Sequence, residues 1–263
     1  MRCTLRGQRR LAHRWVGVAT ALLLLGGCAT REPLRVPPRV RVPADPELLS
    51  QVETLYLESA QRSSVRAVAR VRIQGPGGSG SMREIILARR PASLRLEGLN
   101  FLGQTQSLLV TDGQRFLFFD GRAFEQGPVD SDTLLQTLGL DLAPAEAVEA
   151  LLAIPLDGSA PLPTPREVWV RGTEHWLSYA LQRLGLGPGG QLRGIEATDL
   201  EGGIRWAAAY SGWREVDGGR YPFKMALSFP DTELRAEIDF EEVELNPRLE
   251  TGLFRPGAPG EQP

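Results

Sequence analysis

The segment from residue 94 to residue 113 reads LRLEGLNFLGQTQSLLVTDG, and it decides the fold class. Leu94–Leu99 and Gln106–Thr111 are short runs with strand-forming composition, separated by a turn that contains Asn100 and Gly103. Asp112-Gly113 follows directly and favours a tight hairpin, because both of its central positions tolerate a positive φ. Arg115–Phe119 is then the returning strand. This pattern predicts an antiparallel meander and not alternating strands and helices.

The same periodicity extends in both directions along the chain. In Val65–Ile73 the odd positions are apolar and Arg66, Arg70 and Arg72 take the opposite face, which is typical of a half-buried strand. We therefore predict a mainly β (α+β) fold with a curved antiparallel sheet of about eleven strands. The remaining predicted strands are Met82–Ala88, Glu167–Arg171, Trp176–Arg183, Leu192–Asp199, Ile204–Tyr210, Arg220–Ser228 and Leu234–Leu245.

Helical spacing appears in two places. Asp45 suits an N-cap and Pro46 suits the first helical position, and an apolar face runs from Leu48 to Ser59. A helical insert is predicted between the two groups of strands. Its first helix follows Ser131 and stops at Gly139, and its second begins at Ala143-Pro144.

The N-terminus has the pattern of an export signal. Five arginines precede the apolar run 15–25, which is shorter than the roughly 20 residues of a membrane span. Leu25-Gly26-Gly27-Cys28 resembles the lipobox of bacterial lipoproteins, so Cys28 is the predicted lipidation site. The alternatives are an ordinary signal with a chance cysteine, or an uncleaved anchor. The predicted organisation is a signal peptide (1–27), Cys28 with a Pro/Arg-rich linker (28–44), one domain (45–256) and a flexible tail (257–263).

Composition excludes several classes of function. Removing residues 1–27 leaves 25 basic and 32 acidic residues, from totals of 30 and 32, so the mature chain carries a formal charge of −7. That charge argues against a nucleic-acid partner. Cys3 and His13 leave with the signal, and Cys28 is the predicted acyl acceptor. No thiol then remains for a disulfide or a metal site, and His175 is the last histidine.

Three stretches in this order and spacing resemble the lipoprotein carrier and outer-membrane lipoprotein receptor family (the LolA/LolB-like fold). They are residues 94–113, residues 138–152, and the C-terminal part from Tyr221-Pro222-Phe223-Lys224 to Leu253-Phe254. The resemblance covers roughly residues 46–256. It implies an incomplete barrel closed by the N-terminal helix and the mid-chain insert around an apolar cavity.

The resemblance, together with the lipobox, implies a membrane-anchored protein that is not an enzyme and needs no cofactor. It would bind acyl chains of lipoproteins or other lipids and aid lipoprotein insertion into the outer membrane. Its implied partners are the membrane, through acylated Cys28, those acyl chains, and a periplasmic carrier protein. Ala29 after Cys28 favours the outer membrane if the host is Gram-negative. The alternative is a periplasmic sensor or scaffold lipoprotein that binds a protein partner.

Two sets of residues are candidates for contact with lipid. In the receptor family a protruding loop delivers the cargo, and the matching loop here carries Leu99, Phe101 and Leu102. These side chains either contact lipid or pack under the edge of the sheet. The second set consists of aromatic residues that are candidates for lining the cavity, with ordinary core packing as the alternative. They are Phe116, Phe118, Trp169, Trp176 and Trp206.

Two signals that look catalytic fail on closer inspection, so no catalytic or metal-binding residue is predicted. Residues 185–190 match Gly-x-Gly-x-x-Gly, but a strand and not a helix is predicted after them, so a hairpin loop is the better interpretation. His175 could serve as a general base only with a nucleophile, and the sequence contains no Gly-x-Ser-x-Gly nucleophile elbow. His175 is therefore predicted to be structural.

Overall fold

The computed structural model of the protein describes residues 39–156 and 162–257. The predicted export signal, Cys28 and most of the linker lie outside these ranges. The described residues form one sheet of 14 strands and three helices, with a 3-10 turn at Thr251–Phe254. The helices are α1 (Pro46–Ala60), α2 (Thr133–Leu138) and α3 (Pro144–Leu151).

All strands pair with antiparallel neighbours in the order β1-β8-β9-β10-β11-β12-β13-β14-β2-β3-β4-β5-β6-β7. The order contains two meanders, β2 to β7 and β8 to β14, joined where β14 pairs with β2. The strands are β1 (Val40–Arg41), β2 (Ser64–Gly75), β3 (Gly78–Arg89), β4 (Ser93–Leu99), β5 (Thr105–Thr111), β6 (Arg115–Phe119), β7 (Phe124–Pro128), β8 (Glu167–Arg171), β9 (Glu174–Ser178), β10 (Gln182–Leu186), β11 (Leu192–Thr198), β12 (Ile204–Val216), β13 (Gly219–Phe229) and β14 (Leu234–Leu245).

The predicted fold class is confirmed: the sheet is open, curved and antiparallel, with helices packed against it. It has three more strands than predicted. Val40–Arg41 pairs with β8, so the last part of the predicted linker belongs to the sheet. Phe124–Pro128 forms an edge strand, and the strand predicted across Trp176–Arg183 is two strands joined by a turn.

Apolar side chains at alternate positions of the central strands β2 and β14 form the core. Val65, Ala67, Ala69 and Val71 of β2 are buried on the concave face, as are Ala236, Ile238 and Phe240 of β14. A bulge at Glu241 shifts the register, so that Leu245 returns to the same face. The opposite face carries ion pairs between arginines of β2 and β3 and acidic residues of β14. They are exposed and contribute little stability; the pairs are Arg66–Glu244, Arg70–Glu241, Arg72–Glu237, Arg72–Asp239 and Arg83–Glu241.

Helix α1 forms where its signals predict. The Asp45 carboxylate accepts a hydrogen bond from the backbone N–H of Glu47 at 2.9 Å, and Pro46 occupies the first turn. The residues that α1 buries against the sheet are Leu48, Val52, Leu55, Tyr56 and Ser59. The chain leaves α1 through Arg62 and enters β2 directly.

Candidate functional site

A cavity of about 160 Å³ lies between the concave face of the sheet and the mid-chain helices. The sheet contributes β2, β3, β4, β5, β13 and β14, and the cover consists of α2, α3 and the short connection between them. Nearly all of the lining side chains are aliphatic. They are Val71, Ile73, Ile86, Leu94, Leu96, Leu134, Leu138, Leu140, Leu142, Ala147, Ala150, Leu151, Leu227, Leu234, Ala236 and Ile238, with Met82 and Met225.

Local sequence signals shape the cover. Helix α2 ends at Gly139, which adopts a left-handed conformation with φ 73° and donates its N–H to the Leu135 carbonyl. Pro144 opens α3, and the Glu146 carboxylate accepts a hydrogen bond from the backbone N–H of Ala143 at 2.8 Å. These two short helices therefore turn their leucines and alanines toward the sheet.

Polar contacts fasten the cover to one side of the cavity. The Arg205 guanidinium on β12 lies 3.1 Å from a Glu146 oxygen and 3.4 Å from Asp141. Trp206 donates its indole N–H to Glu146 at 3.3 Å. Tyr210 donates its hydroxyl to the Ala150 carbonyl at 3.0 Å, so α3 is held at both of its ends.

A second group of donors reaches the C-terminal end of α3, where backbone carbonyls lack helical partners. Tyr221 donates its hydroxyl to the Leu151 carbonyl at 2.5 Å. Arg62 donates to the carbonyls of Leu152 and Ala153, each at 3.0 Å. Burial raises the pKa of the Tyr221 hydroxyl, which therefore stays protonated and remains a donor.

Two polar side chains interrupt the aliphatic lining. Glu84 on β3 pairs in register with Ala69 on one side and Gly98 on the other, which places its side chain on the concave face. Ser107 on β5 is the next residue in this row, and its hydroxyl lies 4.0 Å from the Met82 sulfur. Among the described residues, none forms a hydrogen bond or ion pair with the Glu84 carboxyl. The residue is half-buried. Its aliphatic surroundings raise the pKa of the carboxyl to about 7, because burial disfavours the charged form.

Glu84→Gln is expected to stabilise the protein at alkaline pH. Burial raises the pKa of Glu84 from 4.5 to about 7, so the folded state resists ionisation that the unfolded state permits. The native protein therefore loses stability as pH rises from 4.5 to about 7 and keeps that penalty above it. A shift of this size corresponds to about 3 kcal/mol at most, and because the side chain is partly exposed the variant should be more stable by about 2 kcal/mol above that range and nearly equal below it. Urea unfolding across pH measures the difference; equal stabilities throughout would contradict it.

The structure places none of the five predicted aromatic residues in the lining of this cavity. Trp169 and Trp176 stack on the convex face with ring centroids 6.5 Å apart, and Trp176 lies across Gly185 and Gly194, where a Cβ would collide with its ring. Trp206 is on the concave face but lies under α3 beside Glu146. Phe116 and Phe118 are on the concave side of β6, beyond the cavity, in register with Thr111 and Leu109.

The connection between β4 and β5 is a compact turn that exposes two apolar side chains. The Asn100 side-chain oxygen accepts hydrogen bonds from the N–H groups of Leu102 at 2.9 Å and Gln104 at 3.0 Å. Gly103 adopts φ 77° and closes the turn. Phe101 is 94% exposed and Leu102 is 67% exposed, so packing of these two under the sheet edge is excluded. Leu99 pairs with Arg83 and Thr105 and is half-buried.

Two more exposed leucines lie at the same end of the sheet. Because β4, β9 and β11 run in the same direction, the turns that follow them leave the sheet together at one end. Leu181 is 52% exposed in the turn after β9, and Leu200 is 94% exposed in the turn after β11. We refer to Phe101, Leu102, Leu181 and Leu200 as the apolar rim. A single exposed leucine is ordinary, but four large apolar side chains exposed on turns at one end of the sheet are unusual for a free surface.

The remaining sequence signals have structural positions. Residues 187–191 form the loop between antiparallel β10 and β11, so the hairpin interpretation of the Gly-rich segment is confirmed. His175 is exposed on β9. Residues 39–156 and 162–257 contain no cluster of three histidine, cysteine, aspartate or glutamate side chains arranged for a metal ion. Within the same ranges, no helix has the length and apolar character needed to span a bilayer.

Comparison with solved structures identifies the fold. A LolA superfamily protein from Nitrosomonas europaea superposes with a TM-score of 0.53 at 12% identity, over 79% of this chain and 97% of that chain. A domain described as an outer membrane lipoprotein-sorting protein from Vibrio parahaemolyticus superposes with a TM-score of 0.50 at 10% identity, over 79% and 95%. No protein-family model and no curated protein matches the sequence. The chain has the LolA/LolB-like fold.

Proposed function

We propose that this protein is a non-enzymatic, membrane-anchored lipoprotein that binds the alkyl chains of lipoproteins or other lipids between its sheet and α2–α3. The observation that carries the proposal is the cavity lined by aliphatic side chains under a two-helix cover. Apolar cavities of about 150 Å³ bind small apolar molecules such as benzene. The structures with this fold include a protein described as sorting outer membrane lipoproteins, which agrees with a lipid ligand.

The cavity is too small for a whole acyl chain such as myristoyl, so binding requires the cover to move. Its volume of about 160 Å³ matches only a benzene-sized part of such a chain. The cover is built from short helices: α3 is held by polar contacts from β12, β13 and Arg62, whereas the end of α2 accepts a hydrogen bond at Gly139 from the Thr232 hydroxyl at 3.1 Å. Outward displacement of α2, which carries Leu134 and Leu138, would extend the apolar surface while the contacts to α3 stay in place, at the cost of the Thr232–Gly139 hydrogen bond.

Anchoring at the outer membrane is the second part of the proposal. Cys28 in the lipobox-like segment would carry the acyl chains, and two or three chains hold a protein firmly at about 0.8 kcal/mol per buried CH2. The apolar rim would then contact the same bilayer, and cargo would pass between the cavity and the membrane. In this arrangement a periplasmic carrier protein supplies the cargo.

Native mass spectrometry of residues 29–263, secreted to a bacterial periplasm without the lipid anchor, tests the binding function. We expect a bound mass that corresponds to a phospholipid, a fatty acid or an acylated peptide, because the aliphatic cavity retains an alkyl chain through purification. A ligand-free mass under gentle conditions, with no uptake of added lipid, would contradict lipid binding. That outcome would favour the alternative, a scaffold lipoprotein that binds a protein partner.

The double variant Phe101→Asp with Leu102→Asp is expected to weaken membrane contact. Burying a phenylalanine or a leucine is worth about 1.5–3 kcal/mol, and partial insertion of both side chains should account for at least a tenfold change in liposome binding. Cosedimentation of residues 29–263 with vesicles of bacterial phospholipid measures this change. The matched control, Leu57→Asp with Leu253→Asp, alters two exposed leucines away from the rim and should bind like the native chain. Equal binding by both double variants would remove the rim from the proposal.

A further inference from the structure

Glu84 is the one ionisable side chain among the described residues that line the cavity. The elements packed around it are β2, β4, β5, β13, β14, α2 and α3, and they present aliphatic side chains, Met225 and the Ser107 hydroxyl, while Met82 and Ile86 flank it on β3 itself. No lysine, arginine, histidine, aspartate or other glutamate of the described residues faces the cavity. The carboxyl therefore has no protein cation with which to form an ion pair.

The row of residues that crosses the sheet at Glu84 leaves its carboxyl accessible from the cavity. Ala69 on β2 and Gly98 on β4 flank it in register, and neither has a side chain that covers a carboxylate. A Cβ at Gly98 would collide with the Ser107 hydroxyl and the Met82 sulfur, so these two groups occupy the space beside the glycine. A ligand in the cavity can therefore contact the Glu84 carboxyl on β3 and the Ser107 hydroxyl on β5, with Gly98 of β4 between them.

The chemistry of an unpartnered carboxyl in apolar surroundings selects its ligand. An ionised carboxylate is costly to bury alone, and a ligand cation removes that cost by pairing with it. A protonated amine brings both the charge and up to three hydrogen-bond donors. A ligand with its own carboxylate places like charges together, which is unfavourable. The aliphatic walls require an alkyl chain in the same ligand.

Resting on the proposed lipid-binding function, we propose that Glu84 makes the cavity selective for an alkyl chain that bears a primary amine, with the carboxylate paired to the ammonium. Free fatty acids are disfavoured by the same carboxylate. Two sources share this chemistry. One is the headgroup of an aminophospholipid, and the other is the free terminal amine of a diacylated peptide.

Equilibrium binding of decylamine, decanol and decanoate to the purified protein at about pH 8 tests the selectivity. The three probes share one chain and differ only in the polar group. We expect decylamine to bind about tenfold more tightly than decanol, and decanoate to bind most weakly. In Glu84→Gln the preference for the amine should disappear while the affinity for decanol stays within about twofold. Protonation of Glu84 at about pH 5 should reduce the amine preference in the native chain in the same way.

Two further measurements separate the possible failures. Glu242→Gln removes an exposed glutamate of β14 outside the cavity and should keep the native order of affinities. If all three probes bind equally to the native protein, the inference about Glu84 is overturned while the proposed lipid binding stands. If none of them binds, both fail. Competition by phosphatidylethanolamine vesicles, or by a diacylated peptide with a free amine and its N-acetylated form, then distinguishes the two sources of the amine.

Discussion

Arg62→Ala is expected to lower the free energy of unfolding by about 4 kcal/mol, a large effect for a residue outside the cavity. Arg62 is 5% exposed and donates to the carbonyls of Leu152 and Ala153 at the end of α3. Its guanidinium also lies 5.8 Å from the centre of the Trp213 ring. Alanine leaves two buried carbonyls without a donor and a void where the side chain packed. Both losses act on the same contact between α1, α3 and the sheet.

The Arg62 guanidinium keeps its positive charge although the residue is buried. Burial lowers the pKa of Arg62, but an arginine remains protonated in a protein and keeps its donors. Chemical denaturation followed by circular dichroism measures the effect. Arg62→Lys keeps a cation but loses the fork geometry, so it should recover only part of the stability. The control Arg70→Ala removes an exposed arginine of β2, paired with Glu241 at 3.5 Å, and should change stability by less than about 1 kcal/mol. A loss of similar size in the two alanine variants would contradict the structural role of Arg62.

Local signals in the sequence are sufficient to predict the central part of the fold. Helix α1 is predictable because Asp45, Pro46 and a regular apolar face all indicate the same start and the same buried side. Strands β2 and β14 are predictable because alternation over Val65–Ile73, and over Leu234–Phe240 before the bulge at Glu241, leaves one choice of concave face. The glycine that ends α2 adopts the left-handed conformation that its position predicts.

The missed strands lack a clear local signal of strand periodicity. Val40–Arg41 has only two residues in the sheet, and its pairing with Val170 and Trp169 has no local signal in a proline-rich segment. Phe124–Pro128 is an edge strand with a largely exposed pattern, so it lacks apolar alternation. The turn between β9 and β10 interrupts an apolar run, and its Tyr179 N–H bonds to the Gln182 carbonyl. Periodicity does not distinguish a long strand from two short ones there.

The family resemblance implied an apolar cavity under the mid-chain helices, but the sequence did not identify the residues that line it. On sequence grounds aromatic side chains are candidates for the lining, whereas register places aliphatic ones between the sheet and α2–α3. Trp176 could not be assigned to a face because its position depends on Gly185 and Gly194 of two other strands. The position of Glu84 was predictable from the sequence, because Met82, Glu84 and Ile86 alternate along β3 and therefore lie on the same face of the strand. A charged residue on an otherwise apolar face of a strand deserves a functional explanation, since solvation alone does not account for it.

Ala236→Phe is expected to weaken the binding of alkyl ligands by at least about a hundredfold while the protein stays folded. Ala236 lies on β14, where Leu227 and Ile73 are its neighbours in register, and its side chain lines the cavity. Phenylalanine adds a benzene ring at this position. Because a cavity of about 150 Å³ holds one benzene molecule, the ring should fill most of the observed volume of about 160 Å³.

The position makes this variant a sharp test of where the ligand lies. Ala236 is on a central strand that pairs on both sides, so the backbone cannot easily shift to make room for a larger side chain. The new ring is therefore directed into the cavity, toward α2. The matched control, Ala209→Phe, introduces the same side chain at an exposed alanine of β12 and should bind decanol like the native protein. A thermal unfolding transition near the native one shows that each variant is folded. If Ala236→Phe binds normally, the alkyl chain occupies a different part of the concave face. If it binds weakly and Ala209→Phe does not, the chain must pass between β14 and the mid-chain helices, which assigns α2–α3 as the cover that opens.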